Sequence, residues 1–185
     1  MRLILFLSFL TIIFVSCSDK KEPESGYFDT ATFFKHEVFR LRQHSIKLQK
    51  ELFFDERKKV INLDLVNWEK ELSPFIAIDL CKPAYQGRFK LDSIFLPGNK
   101  LQITYLVKDP RSDLKHAEII LDEYGVPLSF NFIFRDENAI YASEKTMHYF
   151  TDSLYEIEGK QTVKIGKPAK YKVIARMIRP NSAGR

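Results

Sequence analysis

Cysteine and histidine are scarce in this sequence, and their spacing excludes the commonest sites built from them. Two cysteines in 185 residues cannot form a disulfide framework, and no Cys-x-x-Cys pair occurs. The four histidines form neither an HxxxH nor an HExxH motif. Zinc and iron sites need three or four converging ligands, so we expect no metal and no other cofactor. The histidines are His36, His44, His116 and His148.

Linear catalytic motifs are also absent. The sequence contains no GxSxG elbow, no P-loop and no GxGxxG fingerprint. Cys81 follows Leu80 and precedes Lys82, a setting more typical of a small half-buried residue than of an activated thiolate. Adjacent carboxylates such as Asp122-Glu123 fall in predicted turns, where side chains are usually solvated. We therefore expect a protein that is not an enzyme.

Long apolar runs are absent after residue 16, and the 7 glycines and 8 prolines are scattered rather than grouped into a linker. Apolar residues make up 45% of the chain and aromatic residues 14%, which excludes a disordered protein. The formal net charge of +5 is modest, and the basic residues are dispersed along the chain. Nucleic acid is therefore not an expected partner. The length favours a single domain.

The N-terminal residues differ in composition from the rest of the chain. Met1-Arg2 is a short basic start, and residues 3–15 are apolar except for Ser8 and Thr11. That run is shorter than the roughly 20 residues of a transmembrane helix and is typical of a secretory signal peptide. It ends in Phe14-Val15-Ser16-Cys17, which resembles the lipobox of bacterial lipoprotein precursors. The resemblance covers residues 1–17 and has Phe14 where the family usually has leucine.

The resemblance to lipoproteins implies cleavage before Cys17 and acylation of that residue. Two or more acyl chains, at ~0.8 kcal/mol per buried methylene, hold a protein stably in a membrane. We expect residues 1–16 to be the signal peptide, 17–27 the acylated cysteine and its tether, 28–178 one domain and 179–185 a flexible tail. The expected location is a bacterial cell membrane or outer membrane, with the outer membrane favoured.

The first part of the domain has a helical pattern. Phe34, Val38, Leu41, Leu48 and Leu52 follow spacings of three and four once Ser45 is included, which predicts one amphipathic helix from about residue 29 to 54. Its apolar stripe suits packing on the domain better than a coiled-coil dimer. A second helix is predicted from Asp64 or Asn67 to about Leu80, with Pro74 expected to kink or restart it, and a short strand over 58–63 separates the two helices.

From Gly87 onward the apolar residues alternate with a period of two, and turn signals recur every 8–15 residues. Such spacing predicts antiparallel neighbours, because parallel strands need long crossovers. We expect an α+β fold with N-terminal helices packed on a curved antiparallel meander of about six to eight strands over residues 88–178. The last predicted strands are Ala139–Phe150, Leu154–Glu158, Gln161–Ile165 and Ala169–Ile178, with turns near Gly159 and Gly166.

The sheet has more apolar residues than one face needs. Helices cover only one face of a sheet, so curvature, a partner or a lipid-like ligand has to shield the other. Helices before a curved antiparallel sheet resemble, in element order, the half-barrel of lipoprotein carriers, which implies lipid binding. The candidate ligand or partner residues are Phe130, Phe132 and Phe134 on one face and Ile120, Ile133, Ile140 and Ile174 on the other.

These observations favour a membrane-anchored, non-catalytic binding or assembly module of the bacterial envelope. Its partner is an apolar ligand or an envelope protein, and its oligomeric state is open. The alternative is an envelope hydrolase whose site is assembled from separate strands without a linear motif.

Overall fold

The computed structural model of the protein describes residues 26–164 and 167–179. The predicted signal peptide, Cys17 and residues 180–185 lie outside this range. The described part contains a 14-residue helix, a 9-residue helix, a short 3-10 turn and nine strands. The helices are α1 (Thr30–Gln43) and α2 (Trp68–Ile76), with the 3-10 turn at Pro83–Tyr85; the strands are β1 (Lys47–Phe54), β2 (Arg57–Leu63), β3 (Phe89–Leu96), β4 (Lys100–Val107), β5 (Leu114–Leu121), β6 (Pro127–Glu137), β7 (Tyr141–Phe150), β8 (Leu154–Val163) and β9 (Ala169–Ile178).

All nine strands form one antiparallel sheet in the order β2-β1-β9-β8-β7-β6-β5-β4-β3. Strands β3 to β9 follow one another as a meander, as the turn spacing predicts. The β1–β2 hairpin then pairs with β9, so the sheet has nine strands rather than six to eight. The prediction of helices with an antiparallel meander of six to eight strands over residues 88–178 is confirmed by the seven strands β3 to β9. The complete sheet is larger than predicted, because β1 and β2 also belong to it.

The long first helix is the main error in the predicted secondary structure. Helix α1 begins at an Asp29 cap, whose side chain accepts the N–H of Thr32 at 2.9 Å, and it ends at Gln43. Ser45 has a φ of 49°, which turns the chain out of the helix. Leu48 and Leu52 then belong to β1, because a spacing of four satisfies a period of two as well as a helical stripe.

Helix α2 matches its predicted start and ends earlier than expected. The Asn67 side chain accepts the N–H of Lys70 at 3.1 Å, which is a standard N-cap. Pro74 lies inside the helix and cannot donate to the carbonyl of Lys70. The Ser73 hydroxyl donates to that carbonyl at 2.9 Å instead, so the helix continues to Ile76.

Gly159 is not a turn residue but lies in the middle of β8. One continuous strand, Leu154–Val163, replaces the two short strands predicted there. Tyr171 of β9 is the direct cross-strand neighbour of Gly159, and a Cβ built on Gly159 would lie 2.2 Å from the tyrosine ring. Gly159 therefore leaves room for the Tyr171 ring on the sheet surface. In the sequence alone, a glycine between two apolar runs indicates a turn.

We call the sheet face that carries Phe130, Tyr149 and Tyr155 the inner face, and the opposite one the outer face. Phe34 of α1 has its ring centroid 5.0 Å from that of Phe130 and 5.1 Å from those of Tyr149 and Phe75 of α2. All these rings are buried. Both helices thus share one aromatic core with the inner face.

Candidate functional site: an apolar groove beside helix α1

The three phenylalanines proposed from the sequence lie on the inner face. Phe130 and Phe132 are fully buried in the core, where Phe130 contacts Phe33 and Phe34. Phe134 is half-buried, and the Lys145 ammonium lies 4.8 Å from its ring centroid. The rings of Phe130 and Phe132 therefore serve the core.

The isoleucines lie apart from these phenylalanines. Ile120, Ile133 and Ile174 are half-buried on the outer face, whereas Ile140 precedes β7 and is 71% exposed. Polar cross-strand neighbours separate the three outer-face isoleucines, so the structure does not bring the seven candidates together. Ile120 lies between Gln102 and Ser129, Ile133 between His116 and Thr146, and Ile174 between Glu51 and Glu156.

An apolar groove of about 670 Å³ runs beside α1. Its apolar walls are Phe33 and Phe39 of α1 and Val126, which immediately precedes β6. Phe39 is 63% exposed and Val126 50% exposed, so both of these apolar side chains are accessible to solvent. The remaining lining residues are polar: His36, Glu37, Arg40, Gln43 and Thr151.

A buried carboxylate forms the floor of the groove. Glu37, only 4% exposed, accepts two hydrogen bonds from Arg40, at 2.7 and 2.6 Å, and one from the Tyr149 hydroxyl. Arg40 also pairs with Asp152 at 2.6 Å. Hydrogen bonding to Glu37 raises the pKa of Arg40 above its ordinary value. Burial and then the Glu37 charge raise the pKa of Tyr149 well above that of a free tyrosine. The floor is thus ionic and internally satisfied.

A second network, in which a glutamate again binds a tyrosine hydroxyl and a basic side chain, lies under α2. Glu71 accepts a hydrogen bond from the Tyr155 hydroxyl and one from Lys50 of β1 at 2.7 Å. Burial, followed by the hydrogen bond to Glu71, raises the pKa of Tyr155. This network does not line the groove, and its role is to join α2 to the sheet.

The other clefts and reactive side chains of the described residues are weaker candidates for a functional site. A cleft of about 270 Å³ at the end of β6, β7 and β8 is lined mainly by polar residues, and its Arg135 pairs with Glu144 at 2.6 Å. Cys81 is half-buried, and its thiol donates to the Tyr27 carbonyl at 3.5 Å. Within residues 26–164 and 167–179, no three His, Cys, Asp or Glu side chains converge as a metal site.

The sequence interpretation missed the groove because its apolar residues are isolated in the chain. Phe39 lies off the stripe of Phe34, Val38 and Leu41, and Val126 lies 87 residues further along the chain, immediately before β6. The available signal was Phe39 itself, since a large aromatic on the polar side of an amphipathic helix has no partner in the helix's own core packing.

Comparison with protein-family models finds no match, and comparison with curated proteins finds none either. Among solved structures, the S-type phycobiliprotein lyase CPES from Guillardia theta aligns over 85% of this chain and 96% of its own length, with 11% identity and a TM-score of 0.29. A TM-score this low does not establish a common fold. In the described part of the chain, neither helix has the length and hydropathy needed to span a membrane.

Proposed function

We propose that the protein is a membrane-anchored, non-catalytic binding module of the bacterial envelope, and that it holds the hydrocarbon chain of a lipid in the groove beside α1. The observation that carries the proposal is the groove itself, with Phe33, Phe39 and Val126 as its apolar walls. Its volume of about 670 Å³ lies inside the range of roughly 300–1,000 Å³ that small-molecule sites occupy.

The electrostatics of the groove floor support a hydrocarbon chain as the bound group. Glu37 and Arg40 neutralise each other, and the Tyr149 hydroxyl completes the hydrogen bonding of the carboxylate. A ligand therefore need not supply a charge to this floor. Recognition rests on the apolar walls, where contact with a methylene chain removes exposed apolar surface from water.

The anchor is the part of the proposal that rests on sequence. The apolar run of residues 3–15 ending at Cys17 supports export and acylation, which place the groove within reach of membrane lipids. We also predict that the protein is not an enzyme. Assays of the purified domain with a panel of hydrolase substrates test the hydrolase alternative.

A fluorescent long-chain fatty acid tests the groove. The chain from residue 18 onward, checked for folding by circular dichroism, is titrated with the probe, and lipid retained through purification is identified by mass spectrometry. Phe39→Ser should weaken binding roughly tenfold, because it removes ~1.5 kcal/mol of apolar contact.

Phe95→Ser is the matched control, since Phe95 is 83% exposed and does not line the groove. Equal loss of binding in both variants would contradict the groove as the site. A folded domain that binds no fatty acid and retains no lipid would contradict lipid binding and favour an envelope protein as the partner.

A further inference from the structure

Strand β3 is one edge of the sheet, and half of its peptide groups face outward. The N–H of Lys108 donates to the carbonyl of Arg88 at 2.7 Å, and Arg88 is opposite Lys108 in the β3–β4 register. In an antiparallel pair these bonds alternate along the strand. Residues 90, 92 and 94 therefore bond to β4, and residues 89, 91, 93 and 95 turn their N–H and C=O groups to the open edge.

The two edges of the sheet differ in how they are protected. Strand β2 begins with Arg57-Lys58-Lys59, and runs of charge on an edge strand discourage pairing with another chain. Strand β3 instead exposes Leu91, Ile94 and Phe95. An exposed apolar edge strand of eight residues is a template for β-sheet extension.

We propose that β3 pairs antiparallel with β3 of a second copy of this chain, centred on Leu91, so that the two sheets join at their edges. In this register Lys90 of each copy lies opposite Asp92 of the other, and both side chains are on the outer face. A shift of two residues one way places Lys90 opposite Lys90, and the same shift the other way places Asp92 opposite Asp92. The centred register gives two pairs of unlike charges and no pair of like charges, whereas each shifted register opposes two like charges; unlike charges stabilise cross-strand neighbours and like charges destabilise them.

The hydrogen bonds already at this edge are compatible with the pairing. The Ser93 N–H donates to its neighbour Asp92 at 3.0 Å, and the Tyr27 hydroxyl donates to the Phe89 carbonyl at 3.2 Å. In the pair, the Ser93 N–H turns to the Phe89 carbonyl of the second copy, which has two lone pairs and can accept both donors. Asp92 is then released to face Lys90.

Disulfide trapping in whole lysates of cells that express the full chain tests the pairing. In a Cys81→Ser background, Leu91→Cys should give a disulfide-linked dimer on mild oxidation, because directly opposed residues lie about 5.5 Å apart between Cα atoms, within disulfide range. Val60→Cys, on the β2 edge, is the matched control for random collisions. The Cys81→Ser chain alone controls for dimers formed through Cys17.

Charge exchange tests the register. Lys90→Glu and Asp92→Lys, each added to the Leu91→Cys chain, should lower the dimer yield roughly threefold or more, since two like-charged pairs then face each other. The double exchange should restore the yield.

Three results would overturn the proposal: no dimer from the Leu91→Cys chain, an equal yield from Val60→Cys, or a higher yield from Ser93→Cys, which marks a different register. The test involves neither Phe39 nor a lipid, so its failure leaves the proposed function of the groove untouched.

Discussion

Tyr149 of β7 and Tyr155 of β8 are direct cross-strand neighbours, and each donates its hydroxyl to a glutamate on a different helix. Tyr149 bonds Glu37 of α1, and Tyr155 bonds Glu71 of α2. The Phe75 ring packs against both tyrosines, with centroid distances of 5.6 and 5.8 Å. One point on the sheet thus orients both helices through charge-assisted hydrogen bonds, which are stronger than neutral ones.

Removing one of these hydroxyls should destabilise the domain. Tyr149→Phe leaves the buried Glu37 with Arg40 alone, and we expect the free energy of unfolding to fall by about 1–3 kcal/mol. Urea denaturation followed by circular dichroism measures it. Tyr141→Phe is the matched control, because that hydroxyl bonds Asp136 in an exposed setting and should cost less than ~0.5 kcal/mol. Equal losses of unfolding free energy in the two variants would show that burial of the Tyr149–Glu37 hydrogen bond contributes nothing to stability.

The raised pKa of Tyr149 and that of Tyr155 also predict a dependence of stability on alkaline pH. Each hydroxyl keeps its proton in the folded chain at pH values where the unfolded chain, with a tyrosine pKa of about 10, has lost it. The stabilisation is complete below pH 10 and declines as the pH rises toward the folded-state pKa. Each tyrosine should contribute a fall of up to about 1.4 kcal/mol per pH unit.

The measurement is urea denaturation between pH 8 and pH 11. Tyr149→Phe and Tyr155→Phe should each reduce the decline in unfolding free energy above pH 10, and the double variant should reduce it further. A double variant with the same decline as the original chain would contradict the assignment to these two hydroxyls.

The seven-strand meander could be predicted because its strands alternate apolar and polar residues between clear turns. The strand predicted over 58–63 is β2, but its partner β1 could not be predicted, because Leu48 and Leu52 satisfy both a helical spacing and a strand spacing. What decides between them is the left-handed Ser45 and the pairing of β1 with β9, a contact between residues more than a hundred positions apart. Local periodicity contains neither.

The groove was less predictable than the fold. It joins Phe39 to Val126, which are far apart in sequence and lie outside any shared pattern. The proposed phenylalanines were recognised as apolar strand residues, and their burial against Phe34 follows from where α1 lies on the sheet. Periodicity assigns a residue to a face of its own element, and only the tertiary packing shows which face stays open.

Leu41 tests the packing of α1. It is fully buried on the apolar stripe of the helix, and truncation of such a leucine leaves a cavity. Leu41→Ala should lower the free energy of unfolding by ~2–5 kcal/mol. Phe39→Ala, on the exposed side of the same helix, should lower it far less. A small loss for Leu41→Ala, measured as an unchanged denaturation midpoint, would show that α1 contributes little to the core.

Gly159 and Tyr171 should be energetically coupled. A Cβ at residue 159 would lie 2.2 Å from the Tyr171 ring, so Gly159→Ala has to displace that ring and should cost about 1–3 kcal/mol. In a Tyr171→Ala chain the same substitution meets no ring, and its cost should fall. A double-mutant cycle measures the coupling; additive effects would contradict the contact.

The lipid anchor is the prediction with the largest effect on location. The apolar run of residues 3–15 ends at Ser16-Cys17. Acylation of Cys17 by two or more acyl chains would anchor the protein stably in a membrane, whereas one acyl chain binds only marginally. Cys17→Ala should therefore abolish incorporation of labelled palmitate and either release the full chain from the membrane fraction or leave it uncleaved. Cys81→Ala, which removes the other cysteine, should change neither property. If membrane retention, cleavage and palmitate labelling all survive Cys17→Ala, lipoprotein processing is ruled out. An ordinary signal peptide or an uncleaved anchor would then explain the N-terminal run.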